Sequence, residues 1–167
     1  RDVLDGADGV LAGAVAGTVV AVHSTIHPDT ARDVAATAAV TGVAVLDAPV
    51  SGGAIGAQDA RLAILVGGEP AAFAASREVL ERMGELVVHL GPIGAGTAAK
   101  LARNLLHFVA FAAAGEASRL AEAAGIDLAA LGNVVRHTDA ITGGPGAIMW
   151  RATTAAMAAD DPWHPIV

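Results

Sequence analysis

The stretch DAPVSGGAIGA, residues 47–57, decides how the chain is read. It opens inside an apolar segment, VAVLDAPV at residues 43–50, and then breaks into a serine followed by two glycines. A short apolar run bounded by turn residues is a buried-strand pattern. Successive glycines let the backbone enter left-handed conformations and let a ligand come close. Consecutive free N–H groups in such a turn form an anion-binding concavity, to which Ser51 adds a hydroxyl donor. In an open sheet flanked by helices, ligands sit beyond the carboxyl ends of the strands, and this turn stands at such an end. A plain glycine turn has the same composition. Ser51, Gly52 and Gly53 therefore become candidates only in company with other residues.

Working outward, VVAV at residues 19–22 reads as another short strand. HSTIHPD at 23–29 follows, where Ser24, Thr25 and Asp29 can cap a helix and Pro28 suits its first turn. The helix runs from Asp29 to about Thr41 and is stopped by Gly42. Beyond the glycine turn lie a polar interval at 58–61 and a strand at 62–66, closed by Gly67-Gly68. A helix at 70–83, stopped by Gly84, and a strand at 86–90 complete this part. Strands alternating with helices predict a parallel or mixed sheet with helices packed on it. After Gly96 the strand signals end. A long helix at 97–124 is broken at Gly125, a second follows at 128–137, and a glycine-rich turn at 142–146 leads to a third reaching about Ala159. The expected division is an α/β part at residues 1–94 and an all-helical part at 95–167.

Composition narrows the chemistry. Of the 167 residues, 54% are hydrophobic and 16% charged, enough for a sizeable core and too little polarity for disorder. Aromatics are 3%, so the core is aliphatic. A net charge of −7 argues against nucleic acid and anionic membranes as partners. With no cysteine, disulfides, thiolate metal sites and a cysteine nucleophile are excluded. The longest apolar runs fall short of the roughly 18–20 residues a membrane span needs. The six histidines show no metal-ligand spacing and are expected to be structural or surface groups. No GxSxG occurs, so a serine hydrolase has no support. GPIGAG at 91–96 imitates a dinucleotide fingerprint, but its spacing and context are wrong.

That glycine turn belongs to a second informative stretch, GPIGAGTAAKLARN at residues 91–104. It opens a helix carrying Lys100 and Asn104, four apart and so on one face, with His107 following. Lysine supplies a proton and a positive charge; asparagine both donates and accepts, so it can hold an oxygen in one orientation. Together they can protonate a carbonyl as hydride arrives, or take the proton from an alcohol as hydride leaves. On spacing alone such a pair is usually a solvated helix face. The nearly apolar run at 101–117 predicts instead a helix buried on most sides, with Lys100 lining a cavity. Thr25, at a strand's carboxyl end, is either a helix cap or a residue facing that cavity. The expectation is that the two glycine-bearing stretches form two sides of one pocket.

Taken together these segments resemble the β-hydroxyacid dehydrogenases, the family of 3-hydroxyisobutyrate dehydrogenase, tartronate semialdehyde reductase and 6-phosphogluconate dehydrogenase. The matching residues are Gly17-Thr18, HSTIHP at 23–28, LDAPVSGGAIGA at 46–57, LAILVGG at 62–68, GPIGAGTAAK at 91–100, and Asn104. The resemblance implies the C-terminal part of a Rossmann-type NAD(P)-binding domain, followed by an all-α domain with a long connecting helix. It implies a hydride transfer between NAD or NADP and a small 3-hydroxy acid, or the corresponding semialdehyde or keto acid. By match, Lys100 resembles the catalytic lysine and Asn104 the asparagine that orients substrate. Ser51, Gly52 and Gly53 resemble the turn that holds the substrate carboxylate, and Thr25 a residue contacting the cofactor. A cytoplasmic enzyme, homodimeric or homotetrameric through its helical domain, is the expected setting.

Departures sharpen the expectation. The family often carries an acid where Val22 stands, a glycine where Ala60 stands, and asparagine or histidine where Arg103 stands. His107 occupies the position that is glutamate in 6-phosphogluconate dehydrogenases, which points away from a decarboxylating sugar-phosphate enzyme. The first alternative is a non-catalytic fragment or remnant acting as a helical assembly module. The second is an imine reductase-like enzyme, against which the retained lysine counts. The family's pyrophosphate-binding GxGxxG turn is expected in a segment ahead of these residues, and DDPWHPIV at 160–167 resembles the lead-in to a later family segment. The chain is accordingly expected to be the middle of a longer enzyme.

Overall fold

The computed structural model describes residues 2–150. Two short helices, α1 (Asp2–Asp5) and α2 (Val10–Gly13), precede strand β1 (Val19–Val22). Helix α3 (Pro28–Ala39) leads to β2 (Ala44–Asp47) and the two-residue β3 (Val50–Ser51). Then come α4 (Gly53–Gln58), β4 (Ala63–Gly67), α5 (Pro70–Glu81) and β5 (Leu86–Gly91). The long α6 (Ala95–Ala123), α7 (Leu128–Thr142) and a 3-10 helix (Gly144–Trp150) finish the described chain. The predicted third helix lies mostly outside the described residues.

The sheet is mixed. Strand β1 pairs parallel with β2, and β4 pairs parallel with β5. Strands β2 and β3 both run antiparallel to β4, through Asp47–Gly67 and Ser51–Ala63 among other pairs. The apolar segment at 43–50 is one interrupted strand. Its ladder breaks at Ala48-Pro49, because Pro49 has no N–H to give, and β3 continues along the same edge of β4 in the register that β2 begins.

Strand alternation decides which helix covers which face. Successive side chains point to opposite faces, so neighbours in β2 enter different cores. Val45 packs with Val22, Val34, Ala38 and Val43 under α3. Leu46 packs with Leu62, Ile64, Val66, Ala72 and Leu80 under α5. Both helices begin at proline, as the sequence predicts. The α3 cap is His27, whose Nδ1 accepts from the Asp29 N–H at 3.2 Å, rather than Ser24 or Thr25.

Two histidines tie loops to the sheet. A His23 Nδ1···Ala48 O contact of 2.8 Å joins the end of β1 to the break after β2. A His89 Nε2···Gly68 O contact of 2.8 Å secures the turn after β4, and the His89 ring stacks on Phe73 with centroids 5.0 Å apart.

The chain divides into two compact units, one ending at Arg103 and the other beginning at Asn104. The division falls inside α6, not at the glycine turn where composition changes. In the second unit α7 is capped at one end by Asp127, whose Oδ1 accepts from the Ala130 N–H at 2.7 Å, and at the other by left-handed Gly143. The prediction that α6 is buried along residues 101–117 is corrected. Leu105, Phe108 and Phe111 are 69%, 62% and 60% exposed. Apolar composition had been read as burial, yet among the described residues nothing covers this flank. No helix of the described residues is long and apolar enough to cross a membrane.

Candidate functional site

The candidate site is built along β4, with β3 paired to its first residues, β2 to its last, and the start of α6 held at the β2 end. Ser51 is the last residue of β3 and pairs with Ala63 of β4. Gly52 follows at φ +129°, a conformation that side-chain-bearing residues rarely adopt, and a Cβ there would stand 3.3 Å from Leu62 Cδ2. Gly53, at φ +62°, faces open space and begins α4. The segment read as a long glycine turn is thus a sharp two-glycine bend into a short helix. Gly52→Ala is expected to lower stability by about 1–3 kcal/mol and to shift Ser51. Chemical denaturation measures the first effect and a crystal structure of the variant the second.

Helix α6 is docked at the other end of β4, where β2 pairs with Gly67, by contacts that its own sequence does not announce. Asp47, the last residue of β2, is fully buried. Its Oδ1 accepts from the Gly94 N–H at 2.7 Å and its Oδ2 from the Thr97 N–H at 2.6 Å. A helix leaves its first amides without partners and carries partial positive charge there, so a carboxylate satisfies both demands. Gly96 lets the helix approach this closely. A Cβ on it would lie 2.2 Å from Leu65 O and 2.6 Å from Asp47 O. The Thr97 hydroxyl is buried without a hydrogen-bond partner among the described residues.

Lys100 lies just beyond this first turn and is only 8% exposed. Loss of water holds its ammonium below the ordinary lysine range, and the like charge of Arg103 acts in the same direction. It is buried because the start of its helix sits against the sheet, although the residues after it on α6 are exposed.

Two cavities flank this framework. The first, about 480 Å³, is lined by Ser51 and Gly52, by apolar residues of β4 and β5 including Leu65 and Val88, and by Arg61 and Arg103. It takes residues from both glycine-bearing stretches. Lys100 is not among its lining residues, whereas Arg103, three residues on, is. The Arg61 Nε donates to Glu85 Oε2 at 2.8 Å. The second cavity, about 340 Å³, lies at the carboxyl end of β1 between α1 and α3, with Val22, His23, Ser24 and Ile26 in its wall. Thr25 itself is exposed, between two residues that line it. Asn104 is four residues beyond Lys100 on α6 and begins the second unit.

Sequence reading missed two residues here. Asp47 had passed as part of an apolar strand and Gly96 as part of a turn. The one local sign was an acid closing an apolar strand, since a buried carboxylate needs partners.

The chain also matches a known family. Residues 1–91 match the NAD binding domain of 6-phosphogluconate dehydrogenase. The chain belongs to that family, and its relatives include 3-hydroxyisobutyrate dehydrogenases. It is 53% identical over 138 residues to an uncharacterized oxidoreductase of Mycobacterium tuberculosis, covering 83% of this chain and 47% of the relative. It is 42% identical over 133 residues to 3-hydroxyisobutyrate dehydrogenase of Pseudomonas aeruginosa, covering 80% of this chain and 45% of the relative. The solved 3-hydroxyisobutyrate dehydrogenase of Mycobacterium tuberculosis with L-serine superposes with a TM-score of 0.71 at 40% identity, over 84% of this chain and 47% of that one. An imine reductase of Myxococcus stipitatus, at 24% identity and TM-score 0.69, shares the fold alone. The chain spans about half the length of the curated relatives it matches.

Proposed function

We propose that the protein carrying this chain is an NAD(P)-dependent oxidoreductase acting on a small 3-hydroxy acid or the corresponding semialdehyde or keto acid. The observation that supports it most is a nearly buried lysine on a helix whose first turn is bonded to the strand end leading into the Ser51-Gly52-Gly53 bend. Two relatives point to the same substrate class, a 3-hydroxyisobutyrate dehydrogenase and an NAD-dependent L-serine dehydrogenase.

The carboxyl ends of β1 and β2 are where an open α/β sheet accepts a dinucleotide. The cavity beside β1 has the mixed character such a group needs, apolar at Val22 and Ile26 and polar at Ser24. In this reading Ser24 and Thr25 hold part of the cofactor, which when bound supplies or accepts the hydride. The chain's own residues do the rest. Ser51 and the amides of Gly52 and Gly53 bind the substrate carboxylate. Asn104 orients the reacting oxygen, and Lys100 moves its proton. A lysine held below its ordinary range serves both directions, because a larger share is neutral and ready to accept a proton. The exposed apolar residues of α6 fit a helical part that also carries self-association, as a homodimer or homotetramer.

The test is a spectrophotometric assay of the full reading frame carrying this sequence, with 3-hydroxyisobutyrate, L-serine and related acids against NAD+ and NADP+. Saturable NADH or NADPH formation is expected with at least one pair. Cofactor binding without turnover of any 3-hydroxy acid would remove the substrate reading. Failure to bind either dinucleotide would remove the enzyme reading and leave an assembly module.

A further inference from the structure

We propose that Asp47 is a positioning residue for Lys100, a cap supplied from a distant strand that fixes where the lysine's helix begins. The inference rests on the reading of Lys100 as the proton-transfer group and adds a residue that touches neither substrate nor cofactor.

Many helices begin with a local exchange. The side chain of the capping residue takes the N–H three residues on, and the side chain there reaches back to the first N–H. Helix α6 cannot do this, since Gly94 has no side chain and the Thr97 hydroxyl has no partner among the described residues. One carboxylate from β2 replaces both halves, accepting from the Gly94 N–H with one oxygen and the Thr97 N–H with the other. Its partners are 47 and 50 residues away in sequence, so the bond fixes α6 relative to the sheet and not merely its own winding.

The direction of that constraint matters. Thr97 and Lys100 are three apart, hence neighbours on one side of the helix. Asp47 grips the first turn of the helix, and Lys100 projects from the next turn on the same side. Asp47 also pairs with Gly67 of β4 and opens the segment that ends in Ser51. One buried carboxylate thus sets the helix that bears the lysine and belongs to the interrupted strand that leads to the serine-bearing bend. A misplacement of about 1 Å in a reacting group costs roughly a hundredfold in rate, so the register of α6 on the sheet is where precision is needed.

The experiment is a double-mutant cycle in the full reading frame, with 3-hydroxyisobutyrate and whichever of NAD+ or NADP+ the parent protein turns over. Asp47→Ala is expected to lower kcat about a hundredfold, with the fluorescence Kd for NADH or NADPH unchanged. Asp47→Asn, which keeps one acceptor oxygen and is a good cap in its own right, is expected to lose less. In a Lys100→Ala background either Asp47 change should lower kcat by less than about threefold, because the group it positions is gone. Asp47→Asn and Asp47→Ser serve if Asp47→Ala does not fold. Equal losses in both backgrounds, or a lowered Tm with parental kcat, would overturn the positioning role while leaving Lys100 in place. Parental kcat in Lys100→Ala alone would overturn both, and is seen without any Asp47 variant.

Discussion

Lys100→Ala is expected to lower turnover of the full reading frame by about a hundredfold to ten-thousandfold, the range for removing a positioned acid–base group. Cofactor affinity should be unchanged, since the residues assigned to it lie by β1. The pH dependence adds a second readout. Burial, and then Arg103, hold the folded-state pKa of Lys100 below the ordinary lysine value. Alcohol oxidation, which needs the neutral amine, should therefore rise along a limb that ends below that value, and carbonyl reduction should fall along the same limb. The limb should vanish in Lys100→Ala. The sign for stability follows the same shift. Between the folded and unfolded pKa values the unfolded chain holds the extra proton, so this group's contribution to stability increases as pH rises through that window. A Lys100→Ala protein with parental turnover and an unchanged pH profile would remove the lysine from the mechanism.

The largest effect on folding is expected from Gly96→Ala. Most glycines in a helix can become alanine with a gain, because alanine is the better helix former. Here the added methyl would meet backbone on several sides, at 2.2 Å from Leu65 O, 2.6 Å from Asp47 O and 2.9 Å from Gly67 N. None of these is a flexible side chain that can turn away. The helix must lift off the sheet, and with it go both hydrogen bonds of Asp47, leaving a buried carboxylate unpaired. Overpacking of this kind costs about 3 kcal/mol or more, and each lost bond to a charged acceptor adds about 1.5–3 kcal/mol. Urea denaturation of the first unit measures the loss. A midpoint equal to that of the parent would mean that α6 does not sit where the structure places it.

Much of the fold was legible from residue order. The strands at 19–22, 62–66 and 86–90 and the helices begun by Pro28 and Pro70 depend on local signals, namely short apolar runs, a fixed proline φ and stop glycines. The helix at 53–58 was not legible, since Gly-Ala-Ile-Gly-Ala-Gln has weak intrinsic preference and is ordered by Leu62 and the chain around it. The burial of α6 was misjudged for a related reason. Apolar composition states that a surface wants cover, and only packing supplies it.

By itself the sequence determined that alternating strands and helices form a parallel or mixed sheet with an aliphatic core. It also determined that a serine–glycine bend and a lysine-bearing helix are the places where chemistry is to be sought. Those features are local, written in spacing and side-chain type. Only the tertiary structure decided that Asp47 grips the helix it never neighbours in sequence, that Gly96 is a point of contact rather than part of a turn, and that Arg103 lines the cavity beside Ser51. Each depends on segments some thirty to fifty residues apart meeting on the sheet. No local pattern encodes such a meeting, because its energy arises only when the sheet has formed and water has left the gap between them.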